Sequence, residues 1–490
     1  MNGRGEGASL RATIQDLQRP HLFLRLVENT LTVAQSLQSN YFNNTATFVD
    51  HLRRSLRKSE PIIRTGWADA RSWDDLRGEV VTFIDGGVGL AQIASRVPLV
   101  LRVGSYAVRT GERNIKERER FAYYPILLGE LEGGSKDRKD FVDVVRITAE
   151  LLGGLSALDR TPDLRVLMFH GPLVYLVGQY AGHTPFTEAD IDLFLHQYGL
   201  ASEKGREIKE RFLSEARLDI YPAMASERVD HLADRRLFEP LAWMAFLYRE
   251  VIAQARSRRP TTVVAGVVER GGRVREFSET VLLRRVFRNL RAGGRASYFN
   301  ELFGRTDLTS ERALLERLGY TDALLLGMML QPGQYSEPWQ MEAKYAGLRG
   351  GDIRLPGEEA SLRLRWSSLA PGGPFSFPRV LGAYLQVSET TEPLRIEVFP
   401  DLGEDQLHEA ACRVFRYARL LPGYGFPVGL DIADKYAHVP NWLTDAYGKM
   451  IKHHLATSLQ SGDISDEALR RVIVQAIYLT NRDWLFRPEV

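Results

Sequence analysis

The stretch VLMFHGPL, Val166–Leu173, decides how this chain is read. Val166 to Phe169 form a short apolar run of strand-forming residues, and Gly171-Pro172 ends it. His170 therefore stands at the carboxyl end of a buried strand, where open α/β sheets hold their ligands. A single histidine at such a place serves packing more often than chemistry. Its meaning depends on what the rest of the chain brings to the same sheet edge.

Upstream lies DRKDFVDVVRITAELLGGLSALDR, in which Phe141, Val144, Val145, Thr148, Leu151, Leu152 and Leu155 recur at helical spacing. Asp143, Arg146 and Glu150 share one face of that helix. Three strand-like segments precede it: EVVTFIDGGVG, VPLVLRVGSYAVR and FAYYPILLGELEG. Their short connections predict an antiparallel meander. Strand, strand, strand, helix, strand is an α+β opening of the RNase H kind, unlike the strict alternation of a Rossmann sheet. In that order the first and fourth strands are neighbours. Asp85, in FIDGG, and His170 then face each other, and Glu150 can reach the same spot. Asp-Gly is also an ordinary turn dipeptide, so the interest of Asp85 comes from element order alone.

The 490 residues exceed one simple core, so several lobes or a core with large insertions are expected. Hydrophobic residues make up 44% and charged residues 26%, which suits a globular chain. With a net charge of +2, any nucleic-acid affinity has to come from local patches. A single cysteine, Cys412, excludes an internal disulfide framework and a cysteine-based zinc cluster, and fits a reducing, cytoplasmic setting. No apolar run reaches the ~20 residues that span a bilayer, and the N-terminus has no signal-peptide pattern.

The expected organisation is an N-terminal helical region (1–78), a first part of the core (79–184), a helical insertion (185–259), a second part of the core (260–445) and a helical tail (446–490). Within the second part, TTVVAGVVER is a buried strand and SETVLLRRVFRNLR a basic amphipathic helix. TDALLLGMMLQPGQYSEP and RVLGAYLQVSETTEPLRIEVFP are strand-rich, and EDQLHEAACRVFRYARLL is a helix ending at PGYGFPVGL. No G-x-S-x-G, helix-opening G-x-G-x-x-G, Walker A or H-E-x-x-H pattern competes with the Asp/Glu/His edge. Carboxylates are hard ligands suited to Mg²⁺ or Mn²⁺, and two such ions can clamp the attacking and leaving oxygens of a phosphodiester.

These residues together resemble the NurA nuclease family. Four parts carry the resemblance: FIDGG at 83–87; the helix containing Glu150; VLMFHGPL, where the family has a strand followed by Asp-Gly; and a C-terminal block. That block comprises LLLGMMLQPGQYSEP, LRIEVFP and ARLLPGYGFPVGLDIADKYAHV. The resemblance runs from about Val80 to Val439. It implies an α/β (α+β) fold with an RNase H-like core and mixed sheet, a helical N-terminal region and a large helical insertion. It implies a metal-dependent deoxyribonuclease that works with a HerA-like hexameric DNA-translocating ATPase, in DNA end processing or anti-phage defence. A two-fold homodimer is also implied, with Leu24, Leu26 and Leu31 of the N-terminal helices as candidates for the dimer or motor interface.

Carried over by position, Asp85 matches the first metal-binding aspartate and Glu150 the helical glutamate, with Asp143 as a rival. Asp434 matches a late acidic or histidine position, with a plain helix-face carboxylate as the other reading. His170 stands where the family pattern has aspartate, so an imidazole replaces a carboxylate. The exchange removes one negative charge, which favours Mn²⁺ over Mg²⁺ while leaving Mg²⁺ possible. It also opens an alternative, a catalytically impaired scaffold that binds and regulates the ATPase. Arg284, Arg288 and Arg291, on one helix, and Arg395 are candidate DNA contacts. A solvated face for the first three, and an ion pair with Glu397 for the last, are the alternatives.

Overall fold

The computed structural model describes residues 22–68, 72–91, 97–131, 135–174, 186–200, 203–219, 240–269, 274–341, 352–353, 362–363 and 377–478. They divide into two compact units: Met1–Thr65 with Gly271–Gln331, and Gly66–Arg270 with Pro332–Val490.

The larger unit is built on a ten-stranded mixed sheet. Its first three strands, β1 (Val80–Leu90), β2 (Val97–Arg109) and β3 (Glu119–Leu131), form the expected antiparallel meander. Helix α1 (Ser135–Arg160) then returns the chain to β4 (Leu164–His170), which pairs parallel with β1. β5 (Val263–Val268) pairs parallel with β4. The order β3-β2-β1-β4-β5 is the RNase H arrangement. Short strands β6 (Gln334–Ser336) and β7 (Trp339–Gln340) and the hairpin β8 (Leu381–Leu385) and β9 (Leu394–Val398) extend it beyond β5. Thr65–Trp67 closes the far edge.

The strands alternate between two buried faces, as a period of two requires. Val80, Ile84, Leu167 and Phe169 pack with Val144, Leu151, Leu152 and Leu155 of α1. Val81, Phe83, Val166 and Met168 point the other way. That second face is covered by α3 (Gln406–Ala418) and α4 (Val428–Ala437), through residues such as Val414, Leu430 and Ala433. Close approach is written in glycines. A Cβ on Gly154 of α1 would lie 2.7 Å from the Phe169 ring, and one on Gly104 of β2 would lie 2.3 Å from the Ala433 carbonyl of α4.

The segment 185–259, expected as a helical insertion, is helical through Glu188–Gln197, Glu203–Asp219 and Pro240–Ser257. Its last helix, α2 (Pro240–Ser257), is the crossover that joins parallel strands β4 and β5, and Leu241 to Tyr248 are all buried. An all-round apolar helix is a core helix. One expectation needs correction, at TDALLLGMM, read above as strand-rich. It is the helix Asp322–Met329, started by the Thr321 hydroxyl, which accepts from the Leu324 N–H at 3.2 Å.

That helix belongs to the smaller unit, so 271–331 joins the N-terminal helices and interrupts the second part of the core. Phe48 and Phe287 pack on Phe299, at ring distances of 5.1 and 4.9 Å. Buried Asp322 accepts the Phe277 and Ser278 N–H groups at 3.1 and 2.7 Å and so anchors the basic helix. On that helix, Arg284–Ala292, the side chains of Val286, Phe287 and Leu290 are buried while Arg284, Arg288 and Arg291 are exposed. Leu26 and Leu31 are exposed on Leu22–Leu37; the Leu24 side chain lies outside the described residues. Among the described residues no helix is long and apolar enough to cross a membrane.

Candidate metal centre

The register of β1 against β4 pairs Ile84 with Phe169, so the next residues, Asp85 and His170, end up side by side. Both lie on the α4 face, continuing the alternation of Phe83 and Met168. His170 Nδ1 is 2.9 Å from Asp85 Oδ2, and the Gly86 N–H donates to Asp85 Oδ1 at 2.8 Å. Gly171 explains the Gly-Pro break. It takes φ +98°, a left-handed conformation suited to glycine, while its N–H donates to Val267. The next turn is pinned when the Leu173 N–H donates to buried Glu397 at 2.8 Å. His170 is thus held by fixed backbone on both sides, and Phe426 packs edge-on against its ring at 5.4 Å.

Helix α4 brings the third group. A Cβ on Gly87 would lie 2.1 Å from the Ala437 carbonyl, so α4 rests directly on the bare backbone of β1 and β2. Asp434, one turn earlier, is thereby aimed at the end of β1. One ligand atom each from Asp85, His170 and Asp434 lie within 4.8 Å of one another. Two carboxylates and an imidazole at that spacing are a donor set able to hold a divalent cation.

The electrostatics agree with that fit. Burial, the neighbouring Asp85 charge and a hydrogen bond to Asp85 raise the Asp434 carboxyl above the usual range. Burial opposes charge on His170, but the Asp85 hydrogen bond and the Asp85, Asp434 and Glu150 carboxylates outweigh it and raise its pKa. Burial pushes Glu150 up to about 7 despite the Arg146 guanidinium beside it. Burial holds the two carboxyls towards their protonated forms, and the surrounding carboxylates do the same for His170. A cation would supply those carboxylates with counter-charge.

No protein-family model and no curated protein matches the sequence. Solved structures do. The chain is similar to NurA nucleases. The NurA nuclease from Sulfolobus solfataricus aligns over 90% of this chain and 98% of its own, at 12% identity and a TM-score of 0.44. A NurA crystallised with manganese aligns over 82% of this chain and 95% of its own, at 12% identity and a TM-score of 0.35. One bound to dAMP and manganese aligns over 83% and 92%, at 12% identity and a TM-score of 0.36.

Of the four positions that the NurA resemblance implies, three converge, and Glu150 stands behind them. It comes from α1, on the opposite face of the sheet, and reaches β1 because Gly86 has no side chain. A Cβ there would lie 2.5 Å from Glu150 Oε1. Arg146 Nη1 holds that same oxygen at 2.5 Å. Asp143, the rival, contacts Arg146 at 3.6 Å from a half-exposed position one turn further away. Arg395 is buried, 2.9 Å from Glu397 Oε1, the ion pair that was the alternative to a DNA contact. Residues not singled out from sequence are Phe426, Arg146 as the partner of Glu150, and Glu397 as the anchor of the turn after His170. Only Arg146 left a signal, its i,i+4 spacing from Glu150.

Proposed function

We propose that this chain is a divalent-metal-dependent DNA nuclease of the NurA type. The observation that carries the reading is the meeting of Asp85, His170 and Asp434 within 4.8 Å at the carboxyl edge of an RNase H-like sheet. Asp85, His170 and Asp434 would hold the ion, with Glu150 behind them. A bound Mn²⁺ or Mg²⁺ supplies a Lewis acid and an activated water for phosphodiester hydrolysis. Asp85 contributes the buried charge, and its hydrogen bond fixes the imidazole plane of His170. Glu150, raised to about 7, is suited to hold or release a proton near neutral pH, while Arg146 keeps its carboxyl oriented. The resemblance that supports the nuclease reading also supports a homodimer and a HerA-like hexameric ATPase as partner, in end processing or anti-phage defence in the cytoplasm. Arg284, Arg288 and Arg291 are then candidate phosphate contacts.

One observation favours the second reading, a scaffold that regulates the ATPase. The His170 imidazole is hydrogen-bonded to Asp85 with a raised pKa, so as an imidazolium it would occupy the position of the cation's charge. The test is degradation of linear and plasmid DNA with Mn²⁺, Mg²⁺ or EDTA, by wild type and by His170→Asp. Cleavage is expected with Mn²⁺, and His170→Asp is expected to extend it to Mg²⁺ by adding a hard, charged oxygen ligand. Wild type inert with every metal beside an active His170→Asp variant would establish the scaffold.

A further inference from the structure

Beside the metal centre the chain displays an aromatic ring that the site chemistry does not use. Tyr424 lies in the turn between α3 and α4, flanked by Gly423 and Gly425, each at φ +76°. Left-handed glycines on both sides leave the turn a shape that ordinary residues adopt only with strain. Gly425 is packed so tightly that a Cβ would lie 2.4 Å from Thr391. Thr391 is itself held, its carbonyl accepting from Gln386 Nε2 at 2.8 Å. The Tyr424 hydroxyl donates to Asp431, one helical turn before Asp434. The ring is thus tied at both ends next to the metal centre, yet it remains 47% exposed. Leu420 and Leu421 in the same turn are exposed as well and extend its apolar surface.

We propose that Tyr424 is a stacking platform for a nucleobase of a single-stranded DNA end entering the metal centre. The inference rests on the nuclease reading and names the substrate feature that this site takes. Asp431, Asp434 and Glu269 surround the hydroxyl with negative charge, so the turn is no phosphate contact. What it offers is a rigid aromatic face, and every base has a matching π-face. A paired base inside a duplex has both faces covered, so the feature selects an unstacked or terminal one. Fixing the ring in advance lowers the entropic cost of stacking, which is the use of the two glycines and the hydroxyl tether.

The test uses the full chain and a single-stranded oligodeoxynucleotide carrying one 2-aminopurine at or next to its end. Binding is followed by fluorescence in EDTA at low ionic strength, where no cleavage is expected. Wild type should quench the probe. Tyr424→Leu should abolish the quenching and weaken binding by about 5- to 100-fold, the range for losing one stacked base. Tyr424→Phe, which keeps the ring and loses the tether, should retain most of both. In Mn²⁺, Tyr424→Leu should raise KM far more than it lowers kcat. Equal binding and quenching by wild type and Tyr424→Leu, or no quenching by wild type, would overturn the platform while leaving Mn²⁺-dependent cleavage untouched. Quenching by a wild type that cleaves with no metal would sink the nuclease reading and leave the platform standing.

Discussion

Two charge clusters of the larger unit, each with a buried member, are built on opposite principles. At one, Arg413 of α3 is 2% exposed and lies between two glutamates. It donates to Glu79 from Nε at 2.8 Å and from Nη2 at 3.1 Å, and from Nη1 to Glu409. Arg165 adds a second cation 3.7 Å from Glu409. Charge is balanced there, and geometry satisfies every partner. At the other, Asp85 and Asp434 meet around one imidazole, with Glu150 behind them and Arg146 committed to Glu150. The first cluster uses desolvated charge to fix α3 against the start of β1. The second keeps an excess of acid where a cation can enter. The difference separates an ion-pair network that is complete in itself from an acidic cluster able to take up a cation.

The comparison breaks most sharply at Asp85. Asp85→Ala should lower Mn²⁺-dependent cleavage about a thousandfold, because several kcal/mol of charge stabilisation depend on the ion it holds. Its circular dichroism and melting should stay close to wild type. Unchanged cleavage would show that the acidic cluster is as structural as the balanced one. Arg413→Met should do the reverse. Taking their shared cation from the half-buried Glu79 and Glu409 should cost about 1–3 kcal/mol of stability by urea unfolding. Molecules that remain folded should keep their activity.

A substitution between the clusters sharpens the point. Gly104→Ala places a methyl against the Ala433 carbonyl and the Ala437 nitrogen, atoms of the helix backbone that cannot turn aside. Helix α4 should shift outward, costing about 1–3 kcal/mol by overpacking. Asp434 should move with it, so metal affinity measured by calorimetry should fall even though no ligand is altered. A variant with wild-type affinity would show that α4 does not set the position of Asp434.

How much of this was legible in the sequence follows from the same residues. The meander, the parallel β1–β4 pair and the facing of Asp85 and His170 could be read because strand periodicity and Gly/Pro punctuation are local signals. Helix α2 was legible as a helix, but its place as the crossover was not, because PLAWMAFLYREVIAQA is buried through its first turns and has no amphipathic stripe to show which face meets the sheet. TDALLLGMM was misread because a short apolar run has no period long enough to tell a helix from a strand. At the site, Glu150 against Asp143 was a choice between positions two turns apart on one helix face. Gly86 favours Glu150, since its missing side chain leaves room for that carboxylate against β1. The burial of Arg395 had no local signal, because alternation places Arg395 and Glu397 on one face without saying what covers that face.

The smallest expected effect is on stability against pH, and it carries a sign. In the folded protein Asp434, Glu150 and His170 all titrate above their ordinary values of 3.8, 4.5 and 6.5. Each therefore keeps its proton at a pH where the unfolded chain has released it. The stability this provides is fully present below the ordinary value and is lost as pH rises through the folded one. For Glu150 the loss runs from about pH 4.5 to about 7, while for Asp434 it begins above 3.8 and for His170 above 6.5. Metal-free protein should then melt several degrees lower at pH 8 than at pH 5.5. Mn²⁺ should reverse the trend, because it replaces the missing protons as counter-charge and binds the deprotonated ligands. At about 100 times its Kd the ion adds about 2.7 kcal/mol, visible as a rise of a few degrees at pH 8 that shrinks towards pH 5.5. Asp85→Ala should lose that rise, whereas Arg413→Met should keep it on a lower baseline. A rise of equal size at both pH values, or one that survives Asp85→Ala, would place the ion elsewhere and remove the distinction between the two clusters.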